Sequence, residues 1–315
     1  MELVWIRDKR IEIDLVGELD QYTWDQHRFT DDKLTACSPF RYDRKPSFFV
    51  NLVNIGDKEI AGTWKDSATD ESGSFLELLS HLRNEHPDDT FDYLMEMYAP
   101  KAYSEARDIT GYLRVVKEFK PLNAANLPEM SDWLALKRGI SAGVQKLFDI
   151  RRGGGFTDAV AFLWKNGRSE IQAIKYRRTD SKIFFYEKDG QRLNTLLYGY
   201  DVMSQMKAST VAITEAEIDA LSWWEYGRAA VALGGASMSK AQIDLLKRAG
   251  IQNVILSFDN DKAGNNLTRQ VADRISPFFS LYRVILGDCK DVNDYHLKHR
   301  KAPTIVSLSP KLSLR

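Results

Sequence analysis

The sequence predicts an α/β protein, α+β over its whole length, with a parallel sheet flanked by helices in its C-terminal part. Three observations lead there. From about Ser209 short apolar strands alternate with helices, the pattern of a parallel sheet covered on both faces. Ahead of it lie strand-like runs with Asn166-Gly167 and Asp189-Gly190, dipeptides that favour antiparallel hairpins. Lys117–Met130, with Pro121 and Pro128, reads as a connector between this part and a small front module.

In chain order, Phe48-Phe49-Val50 and Leu52-Val53 predict short strands, followed by helices from about Ser74 to Arg83 and over Phe91–Tyr98. A helix around Trp133–Arg138 opens the next unit, and Val160–Leu163, Ile171–Tyr176 and Ile183–Tyr186 predict three antiparallel strands. Val211–Thr214, Ala229–Leu233, Asn253–Phe258 and Tyr282–Leu286 predict the parallel strands, separated by helices over Ile218–Tyr226, Ser239–Arg248 and Asn265–Ile275. The expected organisation is a front module over 1–105, a linker over 106–130, a basic subdomain over 131–207, the α/β domain over 208–300 and a patternless tail over 301–315.

Composition narrows the classes. The 315 residues carry 44 basic and 44 acidic side chains and 43% hydrophobic residues, which excludes collagenous, coiled-coil and wholly disordered chains. Two cysteines, Cys37 and Cys289, support neither a disulfide scaffold nor an all-cysteine zinc site. No apolar run is long enough to cross a bilayer, and MELVWIRDKR lacks a signal peptide's apolar stretch. A cytoplasmic protein with no membrane partner is expected, in a bacterial or phage-infected cell. The zero net charge hides an asymmetry: residues 1–100 hold 11 basic and 21 acidic side chains, and residues 135–200 hold 13 and 6. The basic stretch is a candidate anion-binding surface.

Acidic residues collect where the parallel strands end, which is where open α/β sheets bind ligands. The first strand runs into Glu215, Glu217 and Asp219, the third into Asp259 and Asp261, and the fourth reaches Asp288, Lys290, Asp291, Asn293 and Asp294. Such carboxylates repel one another unless a hard cation sits among them, so a magnesium site holding phosphates is the physical reading. Helix N-capping is the plainer reading for any one of them, but three strand ends share the chemistry. Gly234-Gly235 at the second strand end can bring bare amides to a phosphate or simply make a tight turn.

The segments ITEAEIDAL (213–221), SFDNDKAG (257–264) and CKDVNDYH (289–296), with AVALGGASMSK (230–240), resemble the signature segments of the TOPRIM domain. The version is similar to the primase half of phage primase–helicases and the related mitochondrial helicase, with bacterial DnaG-type primases next. The resemblance implies a catalytic Glu215 supported by Asp219, metal ligands Asp259 and Asp261, and Asp291 completing the cluster around two or more Mg2+ or Mn2+ ions. Glu217 falls in the same segment without an assigned role. Ala216 is a departure, since a glycine usually follows the glutamate.

IKYRRTDSKIFF (174–185), LLYGYDVM (196–203) and WLALKRGIS (133–141) resemble the first half of the primase core, in which a KxR strand and a later lysine bind nucleotides and template. By position this points to Lys175, Arg177 and Lys182, joined by Lys290. Alternation along a strand puts Lys175 and Arg177 on one face, and Tyr176, Phe184, Phe185 and Tyr186 serve either base stacking or, as strand aromatics usually do, the core. Arg151, Arg152 and Gly153–Gly155 make a basic turn.

ACSPFRYDRKPSFFVNL (36–52) and GTWKDSATDESGSFLELL (62–79) resemble a primase zinc-binding module, yet tetrahedral zinc needs four cysteine or histidine ligands. Only Cys37 is present, with Arg41 near the expected histidine, so no zinc is expected. Trp64, Phe48, Phe49 and Phe75 are expected to replace the metal with an apolar core, leaving Arg41, Arg44 and Lys45 as a local basic patch.

The leading expectation is a DNA-dependent primase making short RNA primers on single-stranded DNA from NTPs during replication. A TOPRIM nuclease and a catalytically silent replication accessory module are the alternatives. No GxxxxGK[ST] phosphate loop occurs, so a replicative helicase is expected as a separate protein or a missing C-terminal part.

Overall fold

Glu2–Ile6 (β1) and Lys9–Ile13 (β2) pair as an antiparallel hairpin whose alternate residues Val4, Ile6, Ile11 and Ile13 are buried, leaving Leu3 and Trp5 exposed on the other face. It opens a computed structural model that describes residues 1–99, 119–153 and 158–308. The chain divides into two units: Met1–Glu118 with Ser181–Ile183, and Phe119–Asp180 with Phe184–Arg315. Residues 106–118 of the expected linker, Gly154 and Gly155 of the basic turn, and the end of the tail from 309 lie outside the described residues.

In the first unit five short strands form an antiparallel meander in chain order: Arg28–Phe29 (β3), Lys33–Ala36 (β4), Phe48–Asn51 (β5), Trp64–Asp66 (β6) and Glu71–Gly73 (β7). Leu52-Val53, expected as a strand, follows β5 without joining the sheet. Ser74 and Glu77 close a capping box that starts the helix Phe75–Leu82. The next helix begins at Pro87, earlier than the expected Phe91, because proline suits a first turn whose N–H has no partner anyway.

In the second unit Arg151–Arg152 (β8), Ala159–Lys165 (β9), Ile171–Arg178 (β10) and Phe184–Tyr186 (β11) make an antiparallel sheet of order β11-β10-β9-β8. The Asn166 side chain accepts from the N–H groups of Arg168 and Glu170 and so shapes the expected β9–β10 turn. Asp189-Gly190 instead follows β11 and makes no hairpin between these strands. Period-two alternation sends Val160, Phe162, Trp164 and Ala173 into the large core, and Ala159, Ala161, Leu163, Ile174 and Tyr176 into a second cluster on the opposite face. That second face is covered by residues read as linker: Ala124 is buried in it with Leu122 and Leu127, and the Leu122 N–H donates to the Ile171 carbonyl.

The parallel sheet follows the expected strands closely. Thr210–Thr214 (β12), Ala230–Ala232 (β13), Asn253–Leu256 (β14) and Ser280–Ile285 (β15) are parallel in the order β13-β12-β14-β15. Thr304–Ser307 (β16), in the stretch read as a patternless tail, adds an antiparallel edge to β15. Helices Glu217–Trp224, Lys240–Arg248, Lys262–Ile275 and Val292–His299 connect the strands. Because β13 and β14 flank β12, the chain turns opposite ways after β12 and after β13, and a crevice opens beyond the carboxyl ends of β12 and β14.

Candidate active site

Glu215 leaves β12 at this crevice. Its Oε1 accepts the Asp259 N–H at 3.1 Å, and its carbonyl accepts the Gly234 N–H at 3.0 Å. Ala216, where the resemblance led to the expectation of glycine, has φ −112°, an extended conformation any residue adopts, so alanine there costs no backbone strain. Asp259 ends the run after β14 and pairs with Lys290 Nζ at 3.4 Å. Gly264 is required here: a Cβ at that position would sit 2.0 Å from the Asp259 carbonyl oxygen.

Asp261 and Asp291 are both helix N-caps, accepting from Gly264 N–H at 2.9 Å and Asp294 N–H at 2.7 Å respectively. The capping reading is the one the geometry shows, and it does not exclude a ligand role, since each cap uses Oδ1 and leaves the second oxygen of the carboxylate. Asp219 is buried on the helix Glu217–Trp224, and its Oδ1 accepts the Asn293 N–H at 3.0 Å. Asn293 was named in the sequence only as part of the run after the fourth strand, without a role, yet its amide also donates to the Arg138 carbonyl and Ser222 Oγ. Asn260, between the two aspartates, donates to the carbonyls of Gly287 and Cys289 and so ties the β14 loop to the β15 loop. Its signal was the polar amide in the DND run.

The acids feel one another. Burial, and then the Asp259 carboxylate, push Glu215 well above the usual range, and burial followed by Asp291 does the same to Asp219. Asp259 is pushed up to about 6 by burial, opposed by Lys290 and reinforced by Asp291 and Asp261. Lys290 rises in turn because Asp259 favours its charged form. Every donor in this set is a carboxylate oxygen, the ligand type that suits Mg2+ or Mn2+ and not a soft metal. Among the described residues, the one set of three potential ligands whose atoms all lie within 4.8 Å is elsewhere: Asp288, Cys289 and His299. Among the described residues, no three of the five acids at the strand ends come that close to one another.

The basic residues part company. Lys175 does share a face of β10 with Arg177, but that face points into the core: Lys175 is 2% exposed, and its Nζ lies 3.4 Å from Glu217 Oε1. Alternation fixes which residues share a face without saying whether solvent or core receives it. Arg177 is half-buried, and Lys290 remains at the surface beside the acids. Lys182 falls in Ser181–Ile183, grouped with the first unit, where its N–H donates to the Phe40 carbonyl and its ammonium lies 5.9 Å from the Tyr42 ring. Tyr176 stacks on Phe185 with centroids 4.9 Å apart, which favours packing over base stacking. Gly234 and Gly235 are buried, and Gly234, at φ +73°, presses against the Trp164 ring, so they serve the turn and not a phosphate.

In the first unit the expected apolar core is present for Phe48, Trp64 and Phe75, with the Phe40 and Trp64 rings stacked at 4.6 Å. Phe49 faces the other way, half-exposed, with Lys33 over its ring. The sequence did not foretell a charged network beside that core. Arg41 Nε donates to Asp66 Oδ2 at 2.9 Å, its Nη2 donates to Ser47 Oγ at 2.7 Å and lies 2.8 Å from Asp43 Oδ2, and the Ser47 hydroxyl donates to Asp66 Oδ1. Arg41 is thus part of an internal network, and only Arg44 and Lys45 stay fully exposed. This donor set does not fit zinc. Zinc takes cysteine and histidine donors, whereas Arg41 brings a guanidinium, a cation with no lone pair to give, to the Asp43 and Asp66 carboxylates.

Residues 212–296, which span most of the parallel sheet and the acids at three of its strand ends, match the family described as Toprim-like. The mixed α/β architecture and the primase resemblance read from the sequence are borne out. The chain is 25% identical over 300 residues to a DNA primase of Helicobacter pylori, the match covering 81% of this chain and 52% of that protein. It therefore spans about half the length of the curated relatives it matches. Among solved structures it is similar to the zinc-binding and RNA polymerase domains of the Aquifex aeolicus primase, with 17% identity over 91% of this chain and 80% of that one and a TM-score of 0.46. The primase fragment of the bacteriophage T7 primase-helicase protein is matched at 17% identity over 82% of this chain and 95% of that one, with a TM-score of 0.44. No helix among the described residues is long and apolar enough to cross a membrane.

Proposed function

We propose that this chain is a DNA-dependent primase that makes short RNA primers on single-stranded DNA by nucleotidyl transfer from NTPs. One observation carries the reading: carboxylates from three strand ends converge on the switch-point crevice, in a chain whose sequence follows DNA primases along most of its length. Glu215, Asp259, Asp261 and Asp291 hold divalent cations through their carboxylate oxygens, and Asp219 acts through Asn293 to place the Asp291 helix. Bound Mg2+ or Mn2+ would lower the charge barrier between the attacking 3′-hydroxyl, the α-phosphate and the departing pyrophosphate. Lys290, at the rim beside Asp259, offers its ammonium to the triphosphate, and Arg177 contributes positive charge along β10. Lys175 is withdrawn from that role by its burial. A helicase partner would be a separate or additional component.

The test is primer synthesis from labelled NTPs on single-stranded DNA with Mg2+ or Mn2+. Metal-dependent synthesis abolished by Glu215→Gln supports the reading. Release of nucleotides from a pre-made strand without synthesis overturns it in favour of a nuclease, and binding without either reaction overturns it in favour of an accessory module.

A further inference from the structure

We propose that Lys175 and Glu217 form a buried positioning pair that fixes the loop carrying Glu215, so that the cation affinity of the acidic centre depends on two residues that do not touch the cation. The inference rests on the primase reading above and adds a positioning device to it. The side chains of Lys175 and Glu217 are 2% and 5% exposed, and a single oxygen, Glu217 Oε1, receives both the Lys175 ammonium at 3.4 Å and the Trp164 Nε1–H at 3.2 Å.

Stability alone does not explain such a pair. Desolvating two charges offsets most of their attraction, and an apolar pair of similar volume commonly serves a fold as well or better. Location does explain it. Glu217 is the first residue of its helix, and its N-cap, Ala216, makes no side-chain cap hydrogen bond, whereas Ser74, Ser141 and Ser239 cap their helices with a hydroxyl. The start of the helix that follows Glu215 is instead anchored from β9 and β10 by Trp164 and Lys175.

Trp164 reaches Glu215 by a second route. Its ring occupies the space a Cβ of Gly234 would take, 2.5 Å away, and the Gly234 N–H holds the Glu215 carbonyl. Glu215 is therefore bracketed on three sides: carboxylate on Asp259 N–H, carbonyl on Gly234, and helix start on the Lys175–Glu217–Trp164 cluster. Glu217, although it belongs to the acidic signature, is buried in the core.

The experiment titrates Mn2+ into the full chain and follows the free and bound ion by electron paramagnetic resonance, with thermal melting and primer synthesis in parallel. Lys175→Met/Glu217→Gln removes both charges with side chains of similar length and leaves no buried charge alone. The expected result is a melting temperature close to the parent's, Mn2+ affinity lower by about tenfold and a broadened bound-ion spectrum, the size of effect that outer supports of metal ligands have. Lys175→Arg, which keeps the cation, is expected to recover most of the affinity that Lys175→Met loses.

A pair variant whose Mn2+ affinity and spectrum match the parent overturns the positioning role while the parent's own synthesis leaves the primase reading standing. A parent that binds no Mn2+ and makes no primer overturns both. If the pair variant does not fold, equal Mn2+ affinities for Lys175→Arg and Lys175→Met overturn the proposal.

Discussion

Replacing Gly264 with alanine sets local and tertiary physics against each other. In the first turn of the helix Lys262–Ile275 the change adds helix propensity of about 1 kcal/mol. The new Cβ, however, would lie 2.0 Å from the Asp259 carbonyl oxygen, 2.7 Å from its carbonyl carbon and 2.9 Å from its nitrogen. These are backbone atoms with no flexible end to swing aside. Restoring ordinary contact requires relative movement of about 1 Å, and such overpacking costs roughly 1–3 kcal/mol. Asp259 N–H is the donor that holds Glu215 Oε1, so the movement separates two of the acids. A misplacement of about 1 Å at a reacting centre costs on the order of a hundredfold in rate. Gly264→Ala is therefore expected to lower single-turnover primer synthesis about a hundredfold while the melting temperature changes by only a few degrees. Parent-like synthesis with a raised melting temperature would refute the reasoning.

Other outcomes follow from the same geometry. Arg41→Met leaves Asp66 and Asp43 without their cation and is expected to destabilise the first unit by about 3 kcal/mol in urea unfolding, the cost of breaking a buried pair. Acid should act on the same network. Burial opposes ionisation of both aspartates, but Arg41 and hydroxyl and backbone donors at Asp66, and the N–H groups of Lys45, Ser38 and Arg44 at Asp43, outweigh it and hold both down at about 2. Because the folded values lie below the unfolded value of 3.8, this stabilisation is present above about pH 4 and is lost as pH falls from there toward 2, which melts recorded across that window will show. Ala216→Gly is expected to leave synthesis within about twofold of the parent and to lower stability by about 0.4–1 kcal/mol through the freer unfolded chain. Prolonged EDTA treatment should leave the unfolding midpoint of the first unit unchanged, and a large downward shift would reveal a structural metal there.

That acids collect at the strand ends was legible because a strand end, a spacing and a residue type all pointed to the same place, and N-capping by Asp261 and Asp291 uses only one oxygen of each carboxylate. Lys175 was misread as surface because a strand's alternation is blind to what lies above each face, and a lysine at a core position carries no local mark of the Glu217 that receives it. Arg41 and Asp66 stand 25 residues apart, joined only when β5 and β6 pair, so no window of sequence contains their network. The strands of the front meander run two to four residues, too short for alternation to rise above chance. β16 was missed for a related reason: an edge strand packed on one neighbour needs little apolar patterning.

The cover that Leu122, Ala124 and Leu127 lay over β9 and β10 decides where this chain can be cut. A fragment started at residue 131, the boundary the sequence suggested, would leave Leu163, Ile174 and Tyr176 facing water and would be prone to aggregate. Started at Phe119, it carries its own roof, and comparing the two in solution turns a packing detail into a rule for separating catalysis from whatever the acidic front module contributes.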